Sequence, residues 1–463
     1  MWRHHIAVGV ECAQSGRMRL TLAAALGTAA IATTSLSVVP AEAATACARQ
    51  HRIDVPGAEK QTTYCLDDLT TAGTVASGHT NVDDWAGLNA TGTKNPSGVP
   101  GIQVDGYFPD SSTSNTNNGW NHDSQFVIRL PATWNGKVVV SGAPGTRRQY
   151  ANDFLISDWV LAHGYAFAST DKGNNGAAFY DDGSAPAGSV REWNRRVTQL
   201  TKATKAVIAQ RYGHAPRRTY MFGISNGGYL TRWQLENHPG LYDGGLDWEG
   251  TLFRAAGPNL LTYLPAALRN YPAYAATGDE KAHRAIIRAG FKKGSEFLWP
   301  YHYSYYWDLT QRLYREEFDP SYDGAVKAGV PFCHTGTPGC DADYRYYQRP
   351  QRVRDAMRSV QLTGNIRKPM ITIHGTLDTL LPIRTDSNPY DALIDRAGRG
   401  ALHRYYRIED GNHVDGLYNT YPDKLRPMLP CARTAFTDMT RWVERGTKPH
   451  GTATTHGRPV ATW

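Results

Sequence analysis

The sequence has little of what a metal centre requires. It contains 6 cysteines and 16 histidines among 463 residues, and these form neither a His-Glu-x-x-His motif nor the close cysteine and histidine spacing typical of zinc sites. Charge is also modest, since 20% of the residues are charged and the formal net charge is +8. The basic clusters stand among acidic or apolar neighbours, as on solvated helix faces. We therefore expect no metal, no cofactor and no nucleic-acid partner.

Apolar runs of membrane-spanning length are lacking beyond the N-terminus. There, two arginines precede the run LTLAAALGTAAIATTSLSVV, and small residues occupy the −3 and −1 positions of a cut after Ala43. This layout is typical of a secretory signal rather than of a membrane anchor. We expect residues 1–43 to be removed and residues 44–463 to be exported without a stable membrane span. The alternative is lipidation at Cys47, because ATAC weakly resembles a lipoprotein cleavage site, although the usual leucine is missing.

Export favours disulfides among the remaining cysteines. The short separations pair Cys47 with Cys65 and Cys333 with Cys340, and they leave Cys431 outside these two pairs. Other pairings stay open, because connectivity cannot be deduced from a sequence.

The chain also has no internal repeat and no long low-complexity linker, which favours one large domain over 44–463. The polar, turn-rich segment DSSTSNTNNGWNHD at 110–123 predicts a surface loop. After it, strand-like segments such as KVVVSG, YAFASTD and RRTYMFGI alternate with helical patterns such as SVREWNRRVTQLTKATKAVIAQRYG. This alternation predicts an α/β fold with a mainly parallel, helix-covered sheet.

The alternation breaks at about 251–366, where the chain becomes helical and rich in tyrosine. A strand pattern returns afterwards with KPMITIHG, so this segment predicts a largely helical lid inserted into the sheet domain. Two roles stay open for its aromatic residues, which either form the core of the lid or contact the substrate. The candidates for substrate contact are Trp299, Tyr303, Tyr306 and Trp307.

A candidate nucleophile lies in the stretch YMFGISNGGYL. Ser225 stands between Gly223 and Gly227, at the point where an apolar strand meets a helix. So sharp a turn requires strained backbone angles and close packing, which glycines permit, and the helix N-terminus favours developing negative charge. The context, more than the pentapeptide itself, indicates a nucleophile elbow.

A serine nucleophile needs a base, and the base needs an orienting acid. Asp378 follows a buried strand in HGTLDTLLP, and His413 follows the next strand in EDGNHVDG. The order Ser, Asp, His is that of the α/β-hydrolases. Alternatives stay open for both partners. They are Glu249, Asp247 and Asp410 for the acid, and His374 and His403 for the base.

The oxyanion of an acyl-transfer intermediate needs two backbone donors. The residue after the nucleophile, Asn226, supplies one. The loop after KVVVSG supplies the other, and because Pro144 has no N–H we expect Gly145 or Thr146 to donate, with Ala143 as the alternative.

The elbow ISNGG, the loop GTRRQY and the segment YAFASTDKGNNG resemble the tannase and feruloyl esterase superfamily, and within it most of all the D-3-hydroxybutyrate oligomer hydrolases. The resemblance implies an α/β-hydrolase fold and a carboxylesterase with Ser225, Asp378 and His413 as its triad. Tannases and fungal-type feruloyl esterases join two cysteines beside the nucleophile and the histidine, whereas this chain has Ile224 and Val414 there. That difference favours the oligomer hydrolases.

The sequence therefore predicts a secreted serine esterase that acts on small or oligomeric esters, such as hydroxyalkanoate oligomers or aromatic-acid esters, through an acyl-enzyme. One rival is an amidase or peptidase of the same fold, because the triad does not separate esters from amides. The other is a binding protein on a hydrolase scaffold, although such proteins typically lose the serine or the histidine.

Overall fold

The computed structural model describes the residues 53–183, 185–322, 341–449 and 453–455. The predicted signal at 1–43, Cys47, Cys333 and Cys340 lie outside the described residues. The signal and both disulfides therefore stay predictions. None of the helices in the described part of the chain is long and apolar enough to cross a membrane.

One sheet organises the chain. Its strands in the described residues are β1 Lys60–Leu66, β2 Gly101–Tyr107, β3 Gln125–Pro131, β4 Lys137–Gly142, β5 Ala166–Thr170, β6 Arg218–Ile224, β7 Gly244–Trp248, β8 Met370–Gly375, β9 His403–Ile408 and β10 Ala453–Thr455. Their order across the sheet is β1-β2-β3-β5-β4-β6-β7-β8-β9-β10. From β5 to β10 all neighbours are parallel, while β1, β2, β3 and β5 pair antiparallel. The predicted mainly parallel sheet is confirmed.

Helices cover the sheet and fill the insertion. Within the described residues they are α1 Thr71–Ala76, α2 Asp158–Ala162, α3 Gly188–Tyr212, α4 Asn226–Asn237, α5 Leu260–Thr277, α6 Glu280–Ala289, α7 Trp299–His302, α8 Asp308–Phe318, α9 Gln351–Arg358, α10 Ser387–Arg396 and α11 Leu429–Arg445. Single π-helical turns at Asp153–Ser157 and Tyr303–Trp307 lead into α2 and α8. The helices α5 to α9 belong to the segment between β7 and β8, the predicted lid, which is called the lid below.

The central strands are hydrophobic on both faces, which is why the sheet is covered on both sides. In β4, Val138 and Val140 belong to the apolar core shared with α3 and α4, while Val139 points into the core shared with α2 and α11. Alternate residues of a strand face opposite sides, so one run of valines serves both layers.

The polar segment 110–123 is a loop, but it is not wholly on the surface. Asn115, Asn117 and Asp123 are buried. The Asp123 carboxylate accepts hydrogen bonds from the Asn115 N–H and the Ser114 hydroxyl, and Asn115 Nδ2 donates to Asp171 Oδ2 at 2.7 Å. The polar composition here reflects an internal hydrogen-bond network that satisfies buried groups, which a composition-based prediction cannot distinguish from hydration.

Candidate active site

The candidate triad lies at the carboxyl edge of the parallel sheet. Ser225 directly follows β6, and the loops after β8 and β9 carry Asp378 and His413. Since β6, β7, β8 and β9 are consecutive neighbours, their carboxyl ends bring side chains that are far apart in sequence to one place. Ligand sites of open α/β sheets lie at this edge.

Ser225 occupies a strained turn. Its φ of 58° and ψ of −119° lie outside the regions that residues with a side chain ordinarily adopt. Its N–H donates to the Trp248 carbonyl at 2.9 Å, and its own carbonyl accepts from the Tyr229 N–H at 2.9 Å and the Thr251 N–H at 3.2 Å. Hydrogen bonds on both sides therefore fix the unfavourable backbone, which keeps the hydroxyl at the tip of the elbow.

The glycines around Ser225 are required by close packing. A Cβ on Gly223 would overlap the backbone of Gly227, and a Cβ on Gly227 would stand 2.5 Å from the Gly142 carbonyl oxygen. A Cβ on Gly228 would stand 2.6 Å from Gly250 Cα. The first turn of α4 thus touches three neighbouring segments through bare backbone, which explains the Gly-x-Ser-x-Gly spacing physically.

His413 is oriented by Asp378. His413 Nδ1 lies 2.8 Å from Asp378 Oδ2, and both side chains are buried. An ionised carboxylate can only accept, so Nδ1 carries the hydrogen and Nε2 is left as the basic nitrogen. Asp378 Oδ1 accepts from the N–H groups of Leu380 and Leu381 at 2.7 and 2.9 Å, which fixes the carboxylate in turn.

Asp378 and His413 each favour the charged form of the other. Burial alone raises the pKa of Asp378, but the nearby His413 and His374 outweigh it and hold that pKa below its ordinary value. Burial likewise lowers the pKa of His413, but the carboxyl groups of Asp378 and Glu249 outweigh it and raise the pKa to about 10. Asp378 is therefore ionised over the whole working range of pH.

Of the alternative acids, Glu249 is the one that the structure brings to His413, with Oε2 at 3.1 Å from Nδ1. Asp247 is instead buried below the site, where its carboxylate pairs with Arg232 Nε at 2.7 Å. Asp410 is exposed, and its backbone carbonyl and N–H bond to Arg426 and Thr376.

The alternative bases have other partners. His374, on β8, contacts Ser387 Oγ through Nδ1 at 2.7 Å and the Leu381 carbonyl through Nε2 at 2.9 Å. His403, on β9, contacts Asp391 Oδ1 and Thr372 Oγ1. His413 is the member of this group that lines a cavity together with Ser225.

The predicted oxyanion donors flank Ser225. Asn226 is the first residue of α4, and the N–H at such a position has no acceptor within its helix. Its side chain joins this helix to the loop after β4, because Nδ2 donates to the Gly145 carbonyl at 2.9 Å. Gly145 adopts a φ of 50°, and both Gly145 and Thr146 line a cavity beside Ser225.

Two cavities meet at Ser225, with volumes of about 150 and 300 Å³. Both are lined by Gly145, Arg147, Ser225, Tyr306 and Leu380. The smaller one also includes His413 with Tyr301 and His302 from the lid, and the larger one is lined by apolar side chains of α5 and α8 with Asn226 and Tyr314. Ser225 therefore lies between two chambers.

The four aromatic residues predicted to contact substrate have two different roles. Tyr306 lines both cavities. Trp299 and Trp307 are wholly buried. The Trp299 indole N–H donates to Ser295 Oγ in the lid, and that of Trp307 donates to the Thr379 carbonyl in the loop after β8. Tyr303 packs on Tyr271 with ring centroids 4.5 Å apart. For these three, the packing agrees with the alternative of a lid core, because helical periodicity turns them inward.

Arg147, in the loop GTRRQY, was not among the predicted site residues. Its guanidinium donates to the backbone carbonyls of Asp84 and Ala86, both at 2.9 Å, and it lines both cavities. The two acceptors are uncharged, so the cation faces the cavities from a fixed position. The signal was the arginine pair that follows the predicted oxyanion residues Gly145 and Thr146.

Comparisons with known proteins agree with this geometry. Residues 112–248 match the family model of tannase and feruloyl esterase, and residues 324–451 match that of 3HB-oligomer hydrolase. Two separate stretches of the chain are thus similar to these two families. The resemblance seen in the sequence is confirmed, including its oligomer-hydrolase component.

A curated relative is the mono(2-hydroxyethyl) terephthalate hydrolase of Piscinibacter sakaiensis, which is 27% identical over 139 residues. The match covers 27% of this chain and 23% of that protein. An esterase from Aspergillus oryzae superimposes with a TM-score of 0.50 at 14% identity, covering 87% of this chain and 92% of that one. Feruloyl esterase B from the same fungus gives 0.48 at 13% identity, with 88% and 91% covered. Together with the mainly parallel, helix-covered sheet, the superposition on the Aspergillus oryzae esterase confirms the α/β-hydrolase fold.

Proposed function

We propose that this protein is an exported serine carboxylesterase that hydrolyses small or oligomeric esters through an acyl-enzyme. The observation that carries the proposal is the buried His413–Asp378 hydrogen bond of 2.8 Å beside a cavity that Ser225 also lines. A strained serine, a basic nitrogen with the correct tautomer and a fixed carboxylate are the three parts that acyl transfer by a serine requires.

In the first step, His413 Nε2 takes the Ser225 proton as the hydroxyl oxygen attacks the ester carbonyl. The Asp378 carboxylate stabilises the resulting imidazolium, and the Asn226 N–H with that of Gly145 or Thr146 receives the oxyanion. His413 then gives the proton to the leaving alcohol. In the second step, His413 activates a water that hydrolyses the acyl-enzyme and restores Ser225.

The two chambers support a division of the ester between acyl and alcohol parts. Arg147 lines both, and a guanidinium binds a carboxylate through two parallel hydrogen bonds. Hydroxyalkanoate oligomers end in a carboxylate, whereas simple aromatic-acid esters of neutral alcohols carry none. Arg147 therefore favours esters that bear a free carboxylate as the substrate class.

The test is hydrolysis of matched esters by the purified chain without residues 1–43. A panel pairs hydroxyacyl oligomers with their methyl-capped forms, and aromatic-acid esters with the corresponding amides. We expect turnover of the esters, loss of turnover in Ser225→Ala, and a preference for uncapped oligomers. Faster cleavage of the amides would favour the peptidase alternative, and binding without turnover would favour a non-catalytic protein.

A further inference from the structure

Glu249 is a second buried carboxyl group at the candidate base. It directly follows β7 and adopts a left-handed φ of 51°, which is unusual for glutamate. Its N–H donates to the Ile373 carbonyl at 2.9 Å, and its Oε1 accepts from the Gly375 N–H. Its Oε2 lies 3.1 Å from His413 Nδ1. A glutamate keeps such a strained φ only where the surrounding structure fixes it, and strained residues of this kind occur mostly at functional sites.

The two carboxyl groups at His413 are unequally stabilised. Asp378 accepts from His413 and from the N–H groups of Leu380 and Leu381, and His374 Nε2 approaches it at 3.3 Å. Glu249 accepts from one backbone N–H and otherwise only shares His413. Both side chains are nine-tenths buried or more. Two carboxylates so close together in a dry site do not both ionise, so the proton belongs to the less stabilised one.

We propose that Glu249 is a positioning residue, an uncharged carboxyl that confines the His413 imidazole between itself and the Asp378 carboxylate. The inference rests on the proposed role of His413 as the base. Glu249 gives the Nδ1–H of His413 a second oxygen beside that of Asp378, so the ring keeps its orientation while Nε2 exchanges a proton with Ser225 and the leaving group.

The electrostatics of the site agree with this assignment. Burial and the neighbouring Asp378 carboxylate raise the pKa of Glu249 well above its ordinary value, and they outweigh the opposing effects of His413 and the Gly375 N–H. A second negative charge at 3.1 Å would raise the pKa of His413 further and leave less of the neutral form that acts as the base. The titratable groups that face Glu249 are Asp378 and His413. His374 and, from the lid, His302 face the same Asp378 carboxylate, and the Asp247–Arg232 ion pair lies below the site.

The same cluster is not arranged for a metal. Glu249, His374 and Asp378 offer ligand atoms within 4.8 Å of one another. However, His374 Nε2 faces the Leu381 carbonyl, which can only accept, so that nitrogen carries a hydrogen. His374 Nδ1 bonds to Ser387 Oγ at 2.7 Å. Both ring nitrogens are used by hydrogen bonds, so the cluster orients His413 rather than coordinating an ion.

The test compares two substitutions at Glu249. Glu249→Met keeps the length, removes all hydrogen bonding and adds no charge. Glu249→Gln keeps the shape, but its amide oxygen accepts from the Gly375 N–H, so its NH₂ group faces His413 Nδ1–H and cannot accept from it. We expect Glu249→Met to lower kcat about 10- to 100-fold with KM nearly unchanged, the effect of losing one hydrogen bond to a group charged in the transition state. Glu249→Gln should not restore kcat, and in both variants the acidic limb of the kcat/KM profile should move by less than about half a pH unit, because one uncharged group replaces another.

Glu236 provides the matched control. It is also a buried glutamate, which accepts from the N–H groups of Thr363 and Gly364 and from the Tyr390 hydroxyl, but it lies at the opposite end of α4 from Ser225. Glu236→Met should lower stability and leave kcat per folded molecule within about twofold of the wild type, because it loses comparable hydrogen bonds away from the site.

Three results would overturn the proposal. One is wild-type kcat in folded Glu249→Met. Another is wild-type kcat in Glu249→Gln, since a side chain that cannot accept from Nδ1–H would then serve equally well. The third is a shift of about one pH unit or more in the acidic limb of the kcat/KM profile of Glu249→Gln. This result requires only that variant to fold. Ser225→Ala tests the proposed function separately, because turnover that survives in that variant refutes the esterase mechanism whatever Glu249 does.

Discussion

Asp378→Asn is the substitution whose consequence the structure specifies most fully. The N–H groups of Leu380 and Leu381 both point at Oδ1. An asparagine must therefore place its amide oxygen at that position, which leaves its NH₂ group facing His413 Nδ1. Two donors cannot face each other, so the histidine moves its hydrogen to Nε2 and presents Nδ1 as the acceptor. In that tautomer Nε2 cannot take the proton from Ser225.

The magnitude follows from this wrong tautomer. The same change in the Ser-His-Asp template lowers kcat by about 10⁴, which corresponds to about 5 kcal/mol of transition-state stabilisation. Asp378 is buried like the aspartate of that template, since it is only 1% exposed. We therefore expect a loss of similar size, with KM changed little because the carboxylate does not line either cavity.

The assay is steady-state hydrolysis of a chromogenic short-acyl ester, with unfolding followed in parallel. Asp410→Asn is the matched control: it is exposed and has a φ of 60° that asparagine tolerates, so activity should stay within about twofold. A loss of less than about tenfold in well-folded Asp378→Asn would refute the assignment of Asp378, and Glu249 would then be the orienting acid.

Three further predictions follow from the same geometry. Gly223→Ala should yield no folded protein, because its Cβ would overlap the Gly227 backbone, whereas Gly240→Ala meets open space and should express normally. Arg147→Ala should raise KM at least about tenfold for carboxylate-bearing esters and leave methyl-capped ones within about twofold, and an equal effect on both would contradict the carboxylate role. Since the Asp378 carboxylate raises the pKa of His413 and only the neutral ring accepts a proton, kcat/KM should fall as the pH drops, with a midpoint above 6.5, the ordinary pKa of histidine. A midpoint near 6.5 would contradict that shift.

The sequence was sufficient to predict which side chains the strand order brings together at the candidate site. Ser225, Asp378 and His413 each stand just after an apolar strand, and parallel neighbours bring such positions together at one edge. The parallel sheet and the helical insertion were predictable for the same reason, because hydrophobic periodicity reports which faces are covered.

Other features depend on three-dimensional packing and could not be predicted. Trp299 and Trp307 share their residue type and segment with Tyr306, and only the packing of the lid separates the buried indoles from the cavity-lining phenol. Glu249 could be named as an alternative acid, but not as a companion of Asp378. That required knowing that both carboxyl groups approach the same ring nitrogen.

The most direct test of the central claim is labelling with a fluorophosphonate probe, followed by mass spectrometry of the modified peptide. The account predicts one adduct, on Ser225, and no adduct in Ser225→Ala. The labelling rate should decrease as the pH is lowered and His413 becomes protonated. Labelling of folded protein at another residue, or hydrolysis of the ester panel by an enzyme that the probe does not modify, would contradict a Ser225 acyl-enzyme.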